Sequence, residues 1–481
     1  MNAPAADSLA AAPALRAARR ALGTRDDVWI VGGAVRDALI GGEVVEPDLA
    51  VAGDAASVAR EISHAAGGTA FSLSEEFGTW RALGPGWHTD VTPVRGGSIE
   101  ADLALRDFTI NSIAVPLADP GATPIDPRGG LADLGARVLR ATSKRSFTDD
   151  PLRLLRAARL ASTLGLELDL ETVALARAAA GRAAEPAGER QLAELRLLVT
   201  GSDPIRGLAL LDELGATPAV LPELEALRGV EQNPNHHLDV HSHTMEVLRQ
   251  LLEVESDLER YAGDRAPEVA ALLAEPLADE LTRGGALRFG AVVHDFGKPV
   301  TRGRHGDYVT FIGHDREGAG IVRGLCERLK ASRRLARHLQ GLTIHHLKLG
   351  FLARERPLPR RREYEYLRDT DPVGADVTLL SVADRLAARG QGPIAGPDMV
   401  RAHLELAREM LAATLDWRRD GPPRSPIPGD ELAAQLGIEP GPDLGRIIGE
   451  IEAAVYAGEV EGRDDAVALA RRVGGRSGAE R

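Results

Sequence analysis

The spacing of apolar residues changes near residue 150, and that change most constrains the fold. Before it, short apolar runs alternate with Gly-rich turns. Val28–Val31, Leu49–Val51, Asp90–Val94 and Ile113–Val115 read as strands, and Ala34–Ile40 and Ala55–Ala65 as helices. From Asp150 the pattern is helical, with Leu152, Leu155 and Leu160 forming an apolar stripe. Helices are expected to about Leu227, broken near Gly165, Ala184–Gly188 and Gly201–Pro204. A second helical unit, His236 to Arg389, carries ten of the thirteen histidines. The Pro/Gly-rich linker Gly421–Gly429 then leads to two or three short helices. The acidic, Pro-containing stretch Glu253–Glu280 is expected to be a loop or insertion. Residues Met1–Gly23 read as a frayed lead-in ending in a short helix, without the apolar centre of a signal peptide. The fold class is α+β, with all-α parts behind a mixed head. The expected boundaries are 24–145, 146–230, 231–420 and 421–481.

Composition excludes some classes of function. A chain of 481 residues exceeds one ordinary core. The single cysteine, Cys326, rules out an internal disulfide framework and fits a reducing, cytoplasmic compartment. No apolar run reaches the roughly 18 residues that span a bilayer, so no membrane partner is expected. The net charge of −13 speaks against a generally adhesive nucleic-acid binder. Locally, Lys330–Glu363 holds ten Lys/Arg against two acids, a basic stretch beside the histidines.

Two constellations carry chemistry. In the first, Gly32-Gly33 follows a strand and opens a helix, so backbone N–H groups can face an anion such as a triphosphate. Glu46-Pro47-Asp48 leads into the next strand, and acids two apart there share a face. Paired carboxylates of this kind can hold two Mg²⁺ ions. In the second, Val293-His294-Asp295-Phe296-Gly297-Lys298-Pro299 has His243 upstream and Asp384 downstream, an H…HD…D set. Imidazole with carboxylate suits a divalent transition metal or Mg²⁺. His314 and His345 or His346 can complete a second metal position, whereas His236, His237, His241 and His305 are expected to be ordinary histidines.

Further motifs follow in order: Phe77-Gly78-Thr79-Trp80-Arg81, Asp90-Val91, Arg106-Asp107-Phe108-Thr109-Ile110-Asn111, Asp126-Pro127-Arg128-Gly129-Gly130-Leu131, Asp149-Asp150-Pro151-Leu152-Arg153-Leu154-Leu155-Arg156-Ala157, and Glu189-Arg190 with Glu194-Leu195. With Gly32–Asp37 and Glu46–Ala55, this series resembles the class II tRNA nucleotidyltransferase and bacterial poly(A) polymerase family. The histidine unit resembles HD phosphohydrolases, which follow the transferase in some bacterial members. The resemblance implies a polymerase-beta-like head and attack of a tRNA 3′-hydroxyl on the α-phosphate of CTP or ATP, with Mg²⁺ at the transferase site. It implies catalytic and metal-holding roles for Glu46 and Asp48, with Asp90 as third carboxylate. It implies nucleotide contacts for Gly32, Gly33, Arg36, Arg106, Asp107, Asp150 and Arg153, the last two reading the base. It implies metal ligation by His243, His294, Asp295 and Asp384, and removal of terminal phosphates or 2′,3′-cyclic phosphates. Two positions depart from the family pattern. Glu46 stands where an Asp is expected, which shifts the carboxylate by a methylene, and Leu105 replaces an Arg. A-addition or poly(A) synthesis, or an HD phosphohydrolase whose transferase half only binds RNA, are the alternatives.

Overall fold

The computed structural model describes residues 1–75, 77–306, 308–392 and 395–477. They form two compact units, Met1–Val220 and Leu221–Arg481.

The first unit begins with helices α1 (Ala3–Ala11) and α2 (Pro13–Leu22). These are not a frayed lead-in. Leu9, Leu15, Ala18 and Leu22 are buried in the same core as Ile30, Leu49 and Ile62, and that burial is what orders them. Strands β1 (Val28–Val31), β2 (Asp48–Val51), β3 (Ala70–Ser74), β4 (Thr79–Gly84), β5 (Trp87–Pro93) and β6 (Ala114–Pro116) form one mixed sheet in the order β3-β4-β5-β2-β1-β6. Strand β2 is parallel to β5 and antiparallel to β1, so Asp48 lies opposite both Val31 and Asp90. Helix α3 (Gly33–Leu39) follows β1, and α4 (Ala55–Ala65) is capped by Asp54 accepting from Ala56 N at 3.0 Å. Helix α5 (Ile99–Ala104) is capped in the same way by Ser98. From residue 153 the chain is helical, with Arg153–Leu164 ending at the left-handed Gly165 and further helices at Leu170–Ala179, Gly188–Thr200 and Pro204–Glu213.

The second unit is helical apart from two short hairpins, Pro276–Ala278 with Leu281–Thr282 and Gly303–His305 with Tyr308–Thr310. Helix Val240–Ser256 packs against Arg283–Val293 and Gly374–Ala387. The stretch expected to be a loop, residues 253–280, instead forms helices Leu258–Ala262 and Ala266–Ala274 and part of the first hairpin. Glu253, Asp257, Glu259, Asp264 and Glu268 face solvent and Glu255 pairs with Arg288, while Tyr261, Val269 and Leu272 are buried, a division that its overall polarity conceals. Three terminal helices, Gly429–Leu436, Pro442–Ala457 and Arg463–Ser477, share a core around Leu432, Ile451 and Ala454. Much of the basic stretch is neutralised: Lys348 pairs with Asp369, Arg356 with Glu409, Arg361 with Glu459 and Arg362 with Glu355. Among the described residues no helix is long and apolar enough to cross a membrane.

Candidate active sites

The first unit holds a cleft of about 410 Å³ lined by Gly32, Gly33, Arg36, Glu46, Asp48, Arg106, Asp107, Asn111, Arg156 and Arg159. Strand β2 places Asp48 at its open end, and Glu46 lies in the bend just before the strand. Gly32 has φ +70°, and a Cβ there would stand 2.9 Å from Arg106 NH1 and 3.9 Å from Asp48 Oδ2. A side chain at this turn would fill the space beside the carboxylate.

Charges in the cleft are braced from behind. Arg36 donates to Asn111 Oδ1 at 2.7 Å and pairs with Asp37. Arg106 leans on buried Asp102 at 3.2 Å. Arg156 bridges Asp107 Oδ2, at 2.9 Å, and Glu194 Oε1, at 3.0 Å, while Arg159 holds the other Glu194 oxygen at 2.6 Å. Asp107 also accepts from Phe108 N and Asn111 Nδ2. Burial opposes its charge, but Arg156 and these donors hold its carboxyl down at about 2. Asp107 is therefore anionic and fixed, an acceptor suited to a ribose hydroxyl.

Asp48 differs. Among the described residues no cation lies within ion-pair distance of it, and the neighbouring acids are Glu46 and Asp90. Asp48 stands at the solvent-exposed start of β2, yet the chain packed around its carboxyl raises it to about 6, with Arg106 opposing and Asp90 adding. Clustered carboxylate oxygens, with Asp48 itself unpaired, fit a hard cation such as Mg²⁺. The ionised form is the one that holds a cation, so Mg²⁺ affinity is expected to fall as pH drops through about 6. Titrating Mg²⁺ at pH 5.5 and 7.5 checks this, and equal affinities would mean that the Asp48 carboxyl is ionised at both.

In the second unit, six side chains converge in two groups, His243 with His294 and Asp384, and Asp295 with His314 and His346, the ligand atoms of each group lying within 4.8 Å of one another. Each ligand enters from a different element. His243 is on the buried face of Val240–Ser256, and Asp384 is on Gly374–Ala387. His294 and His346 cap the ends of Arg283–Val293 and Arg333–His345, and His314 opens His314–Arg328. Three imidazoles present Nδ1 to backbone carbonyls: His294 to Ala291 at 2.9 Å, His314 to Phe311 at 2.6 Å and His346 to Thr343 at 2.6 Å. With the proton on Nδ1, each Nε2 lone pair faces inward, the arrangement a metal-ligating histidine needs. His314 and His346 then oppose two Nε2 atoms only 3.3 Å apart. His294 Nε2 and Asp295 Oδ1 are buried without hydrogen-bond partners. Orphaned donors of this kind fit divalent metal.

Asp295 faces both groups. Its Oδ2 is 3.2 Å from His294 Nε2, and its Oδ1 is 3.6 Å from His314 and 3.8 Å from His346. Lys298 Nζ stands 2.7 Å from Oδ2. Burial, with His294 and His314 nearby, lowers the His346 pKa to about 3, so the ring is neutral. Gly297 allows the turn to close: a Cβ there would lie 2.0 Å from His314 O.

Two family models match this chain, "Poly A polymerase head domain" over residues 28–140 and "HD domain" over residues 240–389. The A-adding tRNA nucleotidyltransferase of Deinococcus radiodurans is 35% identical over 453 residues, 92% of this chain and 94% of its own length. The chain belongs to the tRNA nucleotidyltransferase family. The CC-adding tRNA nucleotidyltransferase of Thermus thermophilus is 32% identical, covering 93% of each chain. The Multifunctional CCA protein of Chromobacterium violaceum is 32% identical over 81% of this chain and 90% of its own. A Thermotoga maritima CCA-adding enzyme complexed with tRNA shares the fold at TM-score 0.59 and 19% identity, covering 95% of this chain and 94% of its own. As a family member, this chain is a nucleotidyltransferase with an HD domain behind a mixed-sheet head.

Several expected residues lie differently from the sequence reading. Asp90 is beside Asp48 in register, but Arg81 holds both its oxygens, at 2.7 and 2.9 Å. Asp150 and Arg153 do not share a helix face. Pro151 disfavours helical backbone at Asp150, which is extended (φ −145°), and the helix starts only at Arg153. Asp150 accepts from Arg190 at 2.8 Å, and Arg153 donates to Ser146 Oγ at 2.9 Å. His346, not His345, joins the second metal group. His236, expected to be ordinary, lines the metal cavity with its ring 4.6 Å from that of His243, and burial lowers its pKa to about 3. Its loop is pinned there by Gly390 and Gln391 N–H groups donating to Asn235 O and Pro234 O, a long-range contact with no local sequence signal. Arg156, Glu194 and Lys298 also went unassigned, although each sits inside a quoted motif.

Proposed function

We propose that the first-unit cleft adds C and A nucleotides to tRNA 3′ ends from CTP and ATP, and that the second-unit cluster hydrolyses phosphate esters. The carrying observation is the convergence of Asp48 and Glu46 with the Gly32-Gly33 turn and the Arg36, Arg106 and Arg156 guanidiniums in one cleft. The turn and Arg36 bind triphosphate oxygens, and Arg106 offsets their charge. Asp107 orients the ribose. Glu46 and Asp48 would hold Mg²⁺, with Asp90 as the third carboxylate, fixed by Arg81; the ion would supply a lowered hydroxyl pKa and charge compensation at the α-phosphate. Asp150 and Arg153 read the base edge once they exchange Arg190 and Ser146 for it. Residues 24–145 and 146–230 thus serve the transferase, 231–420 the hydrolase and 421–481 a tail.

At the second site His243, His294, Asp295, His314, His346 and Asp384 would hold divalent metal, a transition metal or Mg²⁺, which would supply Lewis acidity toward a phosphate ester. Lys298, which donates to Gln232 and pairs with Asp295 at the cavity wall, can also reach a phosphoryl oxygen.

The test is incorporation of labelled CTP and ATP into tRNA lacking its 3′ end, with wild type beside Glu46→Asp. Uptake of both nucleotides is the expected result. ATP alone would make this an A-adding protein, and CTP alone a CC-adding one. Uptake only by Glu46→Asp would mean that the native cleft binds RNA without catalysis.

A further inference from the structure

The second-unit cavity is larger than a phosphate requires. It has about 570 Å³, and besides the metal-group residues its wall includes Arg354, Arg385, Phe311, Phe351 and Ile312. That volume lies in the range of nucleotide-sized ligands. Among the described residues neither arginine has a carboxylate within ion-pair distance. Arg385 donates one NH2 to Ala388 O at 2.9 Å, and its Nε is buried with no hydrogen-bond partner. Its charged neighbours are Asp384, already bonded to His243 at 2.9 Å, and the like-charged Arg354. Arg354 makes no ion pair among the described residues, whereas nearby Arg356, Arg361 and Arg362 are all carboxylate-paired. At the same cavity Phe351 is 61% exposed and Ile312 85% exposed, apolar surface of the kind on which a base stacks.

We propose that Arg354 and Arg385 form a second anion subsite, which takes the phosphodiester adjoining the phosphate that is hydrolysed. The cavity then selects the end of a nucleotide chain over an isolated phosphomonoester. This rests on the hydrolase reading above. The first phosphate has the metal groups and Lys298. The paired guanidiniums, whose forks match phosphate oxygens, remain for the second.

The experiment compares wild type with an Arg354→Ala/Arg385→Ala double variant. In the metal-loaded protein, KM for the dinucleotide ApAp is expected to be about tenfold below that for adenosine 3′-phosphate. The double variant should erase that advantage while leaving kcat, and KM for p-nitrophenyl phosphate, unchanged. Independently of turnover, calorimetric titration of metal-free protein with ApA should show a binding event that the variant loses. Binding at the transferase cleft is common to both proteins and cancels. Unchanged turnover of p-nitrophenyl phosphate and an unchanged thermal melt verify that the second unit of the variant is folded. Equal KM for the two substrates, or equal ApA binding by both proteins, would overturn the subsite. If no phosphate ester were hydrolysed with any metal, the hydrolase reading would fall, and the ApA comparison would still decide this one.

Discussion

Asp48→Ala is expected to reduce incorporation of CTP and ATP into tRNA by about a thousandfold or more, a loss of several kcal/mol of transition-state stabilisation. Asp48 is the strand-borne acid that lines the cleft without an ion-pair partner, fixed between β1 and β5 by its register. Glu46 precedes the strand on a side chain 67% exposed and loosely placed 3.5 Å from His88, so it cannot replace Asp48. Asp90 cannot either, because Arg81 grips both its oxygens. The substitution should cost little stability, since Asp48 makes no ion pair and its raised pKa means that folding disfavours its charge. A thermal melt unchanged within a few degrees, with labelled-nucleotide uptake gone, is the expected pair of results. Uptake that survives would place the chemistry elsewhere.

Asp295→Asn should abolish phosphate-ester hydrolysis and strip bound metal while leaving nucleotide incorporation intact. Its two oxygens face different groups of imidazoles, so one substitution weakens both. Asn keeps the shape but removes the charge that offsets a divalent ion and Lys298. Metal analysis of the purified variant checks this, with His314→Ala as the comparison: that change touches only the Asp295–His314–His346 group and should retain metal at the other. Undiminished metal in Asp295→Asn would mean that Asp295 is not a ligand, and wild type without metal would mean that the six side chains are a buried polar network only. The two activities are expected to separate because the two sites draw on different residues.

The change of apolar spacing near residue 150 was enough to divide the chain, because the period of burial is written in local sequence. Strand β1 and helix α4 were read with their observed limits for that reason. So were the helix breaks at Gly165 and Pro204, where backbone chemistry acts within a few residues. Local composition misled at both acidic or Ala-rich stretches. The packing of α1 and α2 and the helices within 253–280 depend on partners distant in the chain. The ordered motifs point to the family, since their residues stand at short, fixed spacings in the sequence.

Only the tertiary structure decided how these residues meet. Pairing of β2 with β5 set Asp90 beside Asp48 and gave it to Arg81. Pro151 kept Asp150 off the helix that carries Arg153. The choice of His346 over its neighbour, and the entry of His236, came from helix ends and a pinned loop that approach from far along the sequence. A sequence determines which groups are available and their local backbone. Which lone pairs face one another, and which charges are already satisfied, depends on long-range packing, because hydrogen bonds and ion pairs act only over a few ångströms.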